Sequence, residues 1–185
     1  MGKRGKVTNT VQKKKGITNP VHPEGISNTL SFDFSYSNWL KCVNNKDFTN
    51  KLKDEAQFAS YFFEIFQNIL PTVQKNWDII KLNQKKQFPH CHTLAKGKIE
   101  TAEKVIREIH GRPLLDKDDN TLNYWQLGLT QSIRVVAVYN QERNLIFPVF
   151  VDYHHLLHES IKYNQKDYDN YGFCPVCKYS KSIVY

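Results

Sequence analysis

Tyr124-Trp-Gln-Leu-Gly-Leu-Thr-Gln-Ser-Ile-Arg-Val-Val-Ala-Val-Tyr139, with the continuation Asn140-Gln-Glu-Arg-Asn144 and Leu145-Ile-Phe-Pro-Val-Phe-Val-Asp-Tyr-His-His155, is the stretch that decides the fold. Val, Ile, Tyr and Phe dominate it, and a short polar turn divides it, which is typical of consecutive antiparallel β-strands. Arg134 stands in the middle of one strand. A lone buried cation costs several kcal/mol, so we expect this arginine to reach solvent, an acid or an anionic ligand.

Helical periodicity lies on both sides of residue 90. Apolar residues recur at helical spacing from residue 54 to residue 70, with Pro71 beyond the expected end, and this aromatic stripe is predicted to be core. A second helix is expected from about residue 98 to 110, terminated by Gly111 and Pro113. Alternating Phe32, Phe34 and Tyr36 suggest a first strand. The fold class predicted is α+β, an antiparallel sheet packed against two or more amphipathic helices.

Composition predicts one globular domain with appendages. The chain has 185 residues, of which 40% are hydrophobic and 13% aromatic. Residues 1–28 are expected to form a basic flexible arm, residues 29–160 a single α+β domain, and residues 161–185 a C-terminal extension carrying Cys-x-x-Cys. No apolar run long enough for a membrane span or signal peptide occurs, so we expect a cytoplasmic protein without a membrane partner.

The net charge of +8 is unevenly distributed. Six lysines and arginines precede the first acid, Glu24, which leaves 20 basic residues against 18 acidic ones in the rest of the chain. A basic arm can bind phosphate nonspecifically, and it can equally serve as a solubilising tail. Charge alone therefore indicates nucleic acid only weakly.

Histidines and cysteines cluster in three short segments, His90-Cys-His92, Asp152-Tyr-His-His155 with His158, and Cys174-Pro-Val-Cys177. Cys174 and Cys177 have the spacing of half a tetrahedral zinc site, and the alternative is a pair of free thiols. Asp152 beside His154 and His155 suits acid–base chemistry, and its structural alternative is a strand-end cap.

A site without metal is the favoured interpretation of these residues. Arg134 would stabilise developing charge at a phosphodiester, while His155, assisted by His92 and Asp152, would move protons. The structural alternative for Arg134 is an ion pair with Glu100, Glu103 or Asp152.

Residues 94–158 resemble the core of RelE/YoeB-type bacterial toxins, small α+β endoribonucleases that cleave mRNA on the ribosome without metal. The likeness rests on Ile133-Arg-Val-Val-Ala-Val-Tyr139, the polar turn, the apolar strand and Tyr153-His-His155. It implies that Arg134 contacts the scissile phosphate, that His154 or His155 is the acid or base, and that Tyr153 stacks on a base. Pro148 departs from the pattern and favours an edge strand or a bulge.

The sequence thus predicts a metal-independent endoribonuclease of toxin–antitoxin or phage-defence type, with no cofactor for catalysis. Its expected partners are RNA or the ribosome and an antitoxin protein. Basic residues expected to line the RNA path are Lys85, Lys86, Lys96 and Lys98. Two alternatives stay open: a zinc-containing nucleic-acid-binding or protein-interaction module without catalysis, and a metal-dependent hydrolase with His90, His92, Asp152 and His155 as ligands.

Overall fold

The computed structural model describes residues 29–82, 87–115, 121–129, 132–158 and 166–180. The expected arm, residues 1–28, lies outside these ranges. The helices are α1 (Glu55–Phe63), α2 (Leu70–Ile80), α3 (Lys96–His110) and α4 (Pro175–Tyr179), and a π-helical segment, Glu64–Ile69, joins α1 to α2. The strands are β1 (Ser31–Phe32), β2 (His92–Thr93), β3 (Leu122–Leu127), β4 (Arg134–Asn140) and β5 (Leu145–Asp152), and 3-10 turns occupy Leu156–His158 and Lys166–Asn170.

The strands form a single mixed sheet in the order β1-β5-β4-β3-β2. All neighbouring pairs are antiparallel except β1 and β5, which are parallel. The predicted α+β class, with a mostly antiparallel sheet packed against amphipathic helices, is confirmed. The expected first strand is short, because only Ser31 and Phe32 pair with β5.

Pro148 lies in an interior strand, at a bulge. The register of β4 against β5 shifts between Val136 and Ala137, where Ala137 pairs with Pro148 and Val136 pairs with Phe150. On its other side, β5 pairs with β1 only at Leu145 and Ile146. The missing N–H of the proline therefore falls where regular ladder hydrogen bonding is already interrupted.

The first predicted helix does not end at Pro71. Helix α1 passes into the π-helical segment and then into α2, where Pro71 occupies the first turn and needs no N–H donor. Because the wider turns of the π segment rotate the side chains, the expected core stripe is only partly buried. Ile65 and Ile69 are buried, whereas Phe62 and Phe66 are each 38% exposed.

Helix α3 matches the second predicted helix and begins two residues earlier, at Lys96. Its buried residues are Ala102, Val105, Ile106 and Ile109. Gly111 ends it in the left-handed conformation, with φ of 71°, a conformation that glycine adopts without steric cost.

Alternation along the strands divides the core into two layers. Trp125, Leu127, Val135 and Tyr139 pack on one face of the sheet with residues of the π segment and α2. The opposite face packs Tyr124, Val136, Val138 and Phe150 against α3 and the 3-10 turn at Leu156–His158. Arg134 and Asp152 follow the same alternation, so both lie on the α3 face.

The described part of the expected extension packs against the domain. Leu52 and Phe173 exchange backbone hydrogen bonds of 2.9 Å in both directions. Cys174 then joins the same core cluster as Trp39 and Cys42. Within the described ranges, no helix combines the length and apolar content needed to cross a bilayer.

Candidate functional site

Arg134 lies at the start of β4 and is buried, with 3% of its surface exposed. Its Cα partner is Asp152 on β5, and its Nη1 donates to the carbonyl of Ile133 at 2.8 Å. Burial lowers the pKa of the guanidinium, and the Asp152 carboxylate opposes that effect. The guanidinium lies beneath the surface, and its direct contact with a scissile phosphate stays a prediction. An ion still exerts its field over several ångströms of protein interior.

Asp152 caps the end of β5, as its structural alternative proposed. Its carboxylate accepts hydrogen bonds from the backbone N–H groups of His154 at 3.3 Å, Leu156 at 3.0 Å and Leu157 at 2.9 Å. Burial raises its pKa, and these three donors oppose the rise. The carboxylate thus shapes the turn that carries the histidines, which fits a positioning role, and its acid–base role stays a prediction.

That turn sends the two adjacent histidines in different directions. His154 Nε2 donates to the carbonyl of Lys51 at 2.7 Å, and its ring stacks on Tyr168 with centroids 5.1 Å apart. His155 adopts φ of 60°, a left-handed conformation in which histidine is enriched among non-glycine residues. Of the two predicted candidates, His155 faces the other histidines and His154 does not.

Four imidazoles form what we call the histidine row, His92, His158, His155 and His90. Successive ring centroids are 5.5 Å apart for His92 and His158, 6.3 Å for His158 and His155, and 6.5 Å for His155 and His90. The row draws on the segment around β2 and on the turn after β5, which lie far apart in the chain. It brings together the predicted His92 and His155.

Hydrogen bonds fix the neutral tautomer of His92. Its Nδ1 lies 2.9 Å from the carbonyl of Thr93, so this nitrogen must carry the proton. Its Nε2 lies 3.4 Å from the side-chain amide nitrogen of Gln126, which donates to it. Gln126 is the Cα partner of His92 across the β2–β3 ladder and is 1% exposed. A buried amide thus orients one end of the row.

The environment lowers the pKa values of His155 and His90. Burial lowers the pKa of His155 to about 4, and the positive charge of Arg134 adds to the shift. The pKa of His90 is lowered for the same two reasons, with His92 contributing. A neutral imidazole is a proton acceptor, so His155 has the protonation state of a general base at pH 7.

Tyr153 does not face the site. It points to the opposite side of the sheet, is 1% exposed, and stacks on Tyr61 with ring centroids 5.7 Å apart. Stacking on a nucleic-acid base requires an accessible ring face, which the buried Tyr153 ring does not offer in this structure, so its contact with a base stays a prediction.

The predicted basic residues are only partly within the described ranges. Lys85 and Lys86 lie outside them. Lys96 is exposed in the first turn of α3, and Lys98 lines a cleft of about 390 Å³ between α3 and the loop at residues 45–48. Leu156 and Leu157, which lie between His155 and His158 in the chain, also line this cleft, together with Lys46, Lys104 and Asp47. The cleft therefore adjoins the turn that carries half of the histidine row.

Cys174 and Cys177 lie beside a third cysteine, Cys42. The backbone N–H of Cys42 donates to Cys174 Sγ at 3.2 Å, and the N–H of Cys177 donates to the same sulfur at 3.3 Å. Hydrogen bonding from the Cys42 thiol, with help from the Cys177 thiol, lowers the pKa of Cys174 to about 4. Across the described residues, no group of three or more His, Cys, Asp or Glu side chains could hold a metal ion. The zinc and metal-dependent alternatives stay predictions.

Sequence reasoning gave no role to Gln126, Gly128 or Cys42, and named His158 only as part of a cluster. The sequence contained an indication for Gln126, because it is a polar residue on a strand between the apolar Trp125 and Leu127. His158 follows His155 by three residues, a spacing that aligns side chains in a 3-10 turn. The sequence contained no indication that Cys42 lies beside Cys174, since 132 residues separate the two.

Comparison with known proteins places the chain in a family. A family model described as "Uncharacterised protein UU032" matches residues 35–181. The chain belongs to the UU032 family. A relative from Ureaplasma parvum serovar 3, also described as "Uncharacterized protein UU032", is 36% identical over 148 residues, which cover 80% of each chain. No solved structure matches.

The UU032 match contains the histidine row, Arg134 and the three neighbouring cysteines, and it leaves out the basic arm. The site described above is therefore built from the part of the chain that the family model spans. The resemblance to RelE/YoeB-type toxins stays a prediction.

Proposed function

We propose that this protein is a metal-independent endoribonuclease of toxin or phage-defence type, with its acid–base groups in the histidine row. One observation carries the proposal: imidazoles from two remote segments converge at the edge of the sheet, above a buried guanidinium. RNA can be cleaved by its own 2′-hydroxyl when a base removes the hydroxyl proton and an acid protonates the leaving 5′-oxygen. Imidazole serves both roles near neutral pH.

Within this proposal His155 is the base, because Arg134 and burial keep it neutral. Its neighbour His158 is the candidate for the acid, because the lowered pKa of His90 disfavours the protonated form that an acid needs, and His92 is held by Gln126 at the far end. Arg134 acts through its field, which attracts the phosphodiester and opposes protonation of the base. Asp152 is a positioning residue, since it shapes the turn on which His155 stands.

The cleft beside α3 is the proposed path of the RNA strand. Lys46, Lys98 and Lys104 supply positive charge along it, and Leu156 and Leu157 connect it to the row. Phosphate contacts of this kind position a strand without reading its sequence. The proposal includes a cytoplasmic location, where mRNA and ribosomes are found, and an antitoxin protein as the partner that would restrain the activity.

The test compares two adjacent histidines. Purified protein is incubated with end-labelled RNA in excess EDTA, both free and bound to ribosomes. We expect cleavage to 2′,3′-cyclic phosphate ends. His155→Asn, which suits the left-handed backbone at this position, should lower kcat by about 10²-fold or more. His154→Gln is the matched control, because His154 faces Lys51 and Tyr168, and it should retain activity within about twofold of the parent protein, well below the loss expected for an acid–base group.

Three outcomes contradict the proposal. The first is that folded protein cleaves neither form of RNA. The second is that EDTA abolishes cleavage and a divalent ion restores it, which would identify a metal-dependent hydrolase. In the third, His155→Asn and His154→Gln lose activity equally, which means that the row does not carry the chemistry. Circular dichroism of each variant establishes that it is folded.

A further inference from the structure

Three sulfurs meet on the side of the molecule that the histidine row does not use. Cys42 precedes α1, while Cys174 and Cys177 stand at the start of α4. The backbone pairing of Leu52 with Phe173 brings these segments together. Lys178 and Glu55 form an ion pair of 2.7 Å between α4 and α1. The fourth cysteine, Cys91, is elsewhere, with its Sγ donating to the carbonyl of Gly128 at 3.1 Å.

Cys174 and Cys177 have the spacing of a disulfide pair. Cys174 is the N-cap of α4 and Cys177 follows one turn later, with its N–H donating to Cys174 Sγ at 3.3 Å. Residues three apart in a helical turn have their Cα atoms roughly 5 to 6 Å apart, which falls inside the range that a disulfide tolerates. The spacing of the two residues therefore meets the Cα condition for a disulfide.

The two sulfurs of the pair differ in access. Cys177 is exposed, and Cys174 is buried. The backbone N–H groups of Cys42 and Cys177 both donate to Cys174 Sγ, at 3.2 and 3.3 Å. Two such donors stabilise negative charge on a sulfur, and the thiolate is the nucleophile in disulfide exchange. One cysteine is placed to meet an external reagent, and its neighbour is held ready to displace it.

We propose that Cys174 and Cys177 form a reversible disulfide by exchange with small-molecule disulfides. The exposed Cys177 thiolate attacks one sulfur of the incoming disulfide, forms a mixed disulfide and releases the first thiolate. Cys174 Sγ then attacks Cys177 Sγ, which breaks the mixed disulfide and releases the second thiolate. The pair loses two electrons and two protons, and the incoming disulfide is reduced to two thiols. Cys42 is a neighbour that orients Cys174 and is not itself oxidised.

The test uses the full-length chain in buffers of reduced and oxidised glutathione at different ratios, followed by alkylation, trypsin digestion and mass spectrometry. Both cysteines of the pair fall in one tryptic peptide, residues 167–178, whereas Cys42 falls in a separate one, residues 42–46. As the buffer becomes oxidising, we expect the first peptide to change from the form with two alkyl groups to an unalkylated form that is two hydrogens lighter than the free dithiol. Dithiothreitol should restore both groups.

Variants assign the bond. Cys177→Ser should abolish the two-hydrogen loss, while Cys42→Ser and Cys91→Ser should retain it. The proposal is overturned if the folded pair stays reduced under conditions that oxidise the urea-unfolded chain, or if peptide 42–46 becomes cross-linked to peptide 167–178. It is equally overturned if purified protein holds about one zinc per chain and its thiols react only after chelation. None of these readouts depends on RNA cleavage, so they are independent of the ribonuclease proposal.

Discussion

At Gly128 the absence of a side chain makes room for Arg134. A Cβ built there would lie 2.7 Å from Arg134 Cδ, 2.9 Å from the carbonyl oxygen of Ile133 and 3.0 Å from Arg134 Nη1. The backbone oxygen cannot move without disturbing the start of β4. Gly128 therefore allows a guanidinium to fold back under the histidine row, close to Cys91 and Asp152.

Replacing Gly128 tests this arrangement. Gly128→Ala should lower the free energy of unfolding by about 1–3 kcal/mol, because a methyl group is forced into occupied space. The measurement is urea denaturation followed by tryptophan fluorescence. Gly97→Ala is the control, since nothing lies within 4 Å of a Cβ built there, in the first turn of α3; it should raise stability by up to about 1 kcal/mol. Equal stability of both variants would show that the space beside Arg134 is not tightly occupied.

At the level of single residues, the directions of the side chains could not be predicted from the sequence. The types and order of Arg134, His92 and His155 led to the prediction of a shared site, and the structure places His92 and His155 in one row of imidazoles. Nothing in the sequence indicated that His154 and His155 diverge, because their directions depend on the left-handed backbone of His155 and on the three amides bound by Asp152. The burial of Arg134 likewise depends on the close approach of Gly128, which lies only six residues earlier but to which the sequence reasoning assigned no role.

Among the elements, the two longest helical regions begin differently. Asp54 caps α1, with Oδ1 accepting from the N–H of Gln57 at 2.8 Å, and Gln57 Oε1 accepts in turn from the N–H of Lys53 at 2.7 Å. Helix α3 begins after Ala95, which has no side-chain acceptor. The backbone of Ala95 is extended, with φ of −64° and ψ of 145°, as an N-cap residue requires.

Opposite substitutions at these two positions should have opposite effects. Asp54→Ala should lower the free energy of unfolding by about 1 kcal/mol, and Ala95→Ser should raise it by about 0.5–1 kcal/mol, since a hydroxyl at the N-cap can accept from a backbone N–H of the first turn. Urea denaturation of the two variants and the double mutant measures both changes, which should add because the sites are on different helices. A destabilised Ala95→Ser variant would mean that this helix start is already satisfied by other contacts.

Helix periodicity predicted α3 well and the α1–α2 region poorly, for a physical reason. A regular helix carries its apolar face forward at 3.6 residues per turn, and α3 does so from Ala102 to Ile109. In the π segment the N–H of Leu70 donates to the carbonyl of Ile65, five residues back. After that wider turn the buried residues are Ile69 and Val73, whereas Phe62 and Phe66 are partly exposed. No residue type in the segment predicts a π-helical turn.

In the whole molecule, the two faces of the sheet serve different purposes. One face is filled by aromatic residues and the π segment, and it carries no titratable group of the histidine row. The other supports α3, the basic cleft and the row. Four of the histidines in the described part of the chain, His90, His110, His154 and His155, have lowered pKa values, with burial as the largest cause in each case. Stability must therefore depend on pH.

Acidification should destabilise the folded protein between pH 6.5 and about 4. A histidine whose pKa is lowered by folding binds more protons in the unfolded chain, so the free energy of unfolding falls as pH drops through that window. For His155 the change from 6.5 to about 4 corresponds to roughly 1–2 kcal/mol after allowing for its partial exposure to solvent. The raised pKa of Asp152 acts in the opposite direction, because the folded carboxyl keeps its proton at pH values where the unfolded one has lost it.

Urea denaturation at intervals from pH 4.5 to 7.5 measures this dependence, and His155→Asn isolates one contribution to it. The variant keeps a residue that tolerates the left-handed backbone and removes the imidazole, so its stability should fall less steeply on acidification than that of the parent. His154→Gln, which removes a different lowered pKa on the other side of the turn, should also reduce the slope, and the two reductions should add if the histidines titrate independently. A parent protein whose stability is flat across the window would mean that these imidazoles are solvated and charged in the folded state, which would also remove the basis for His155 as a neutral base.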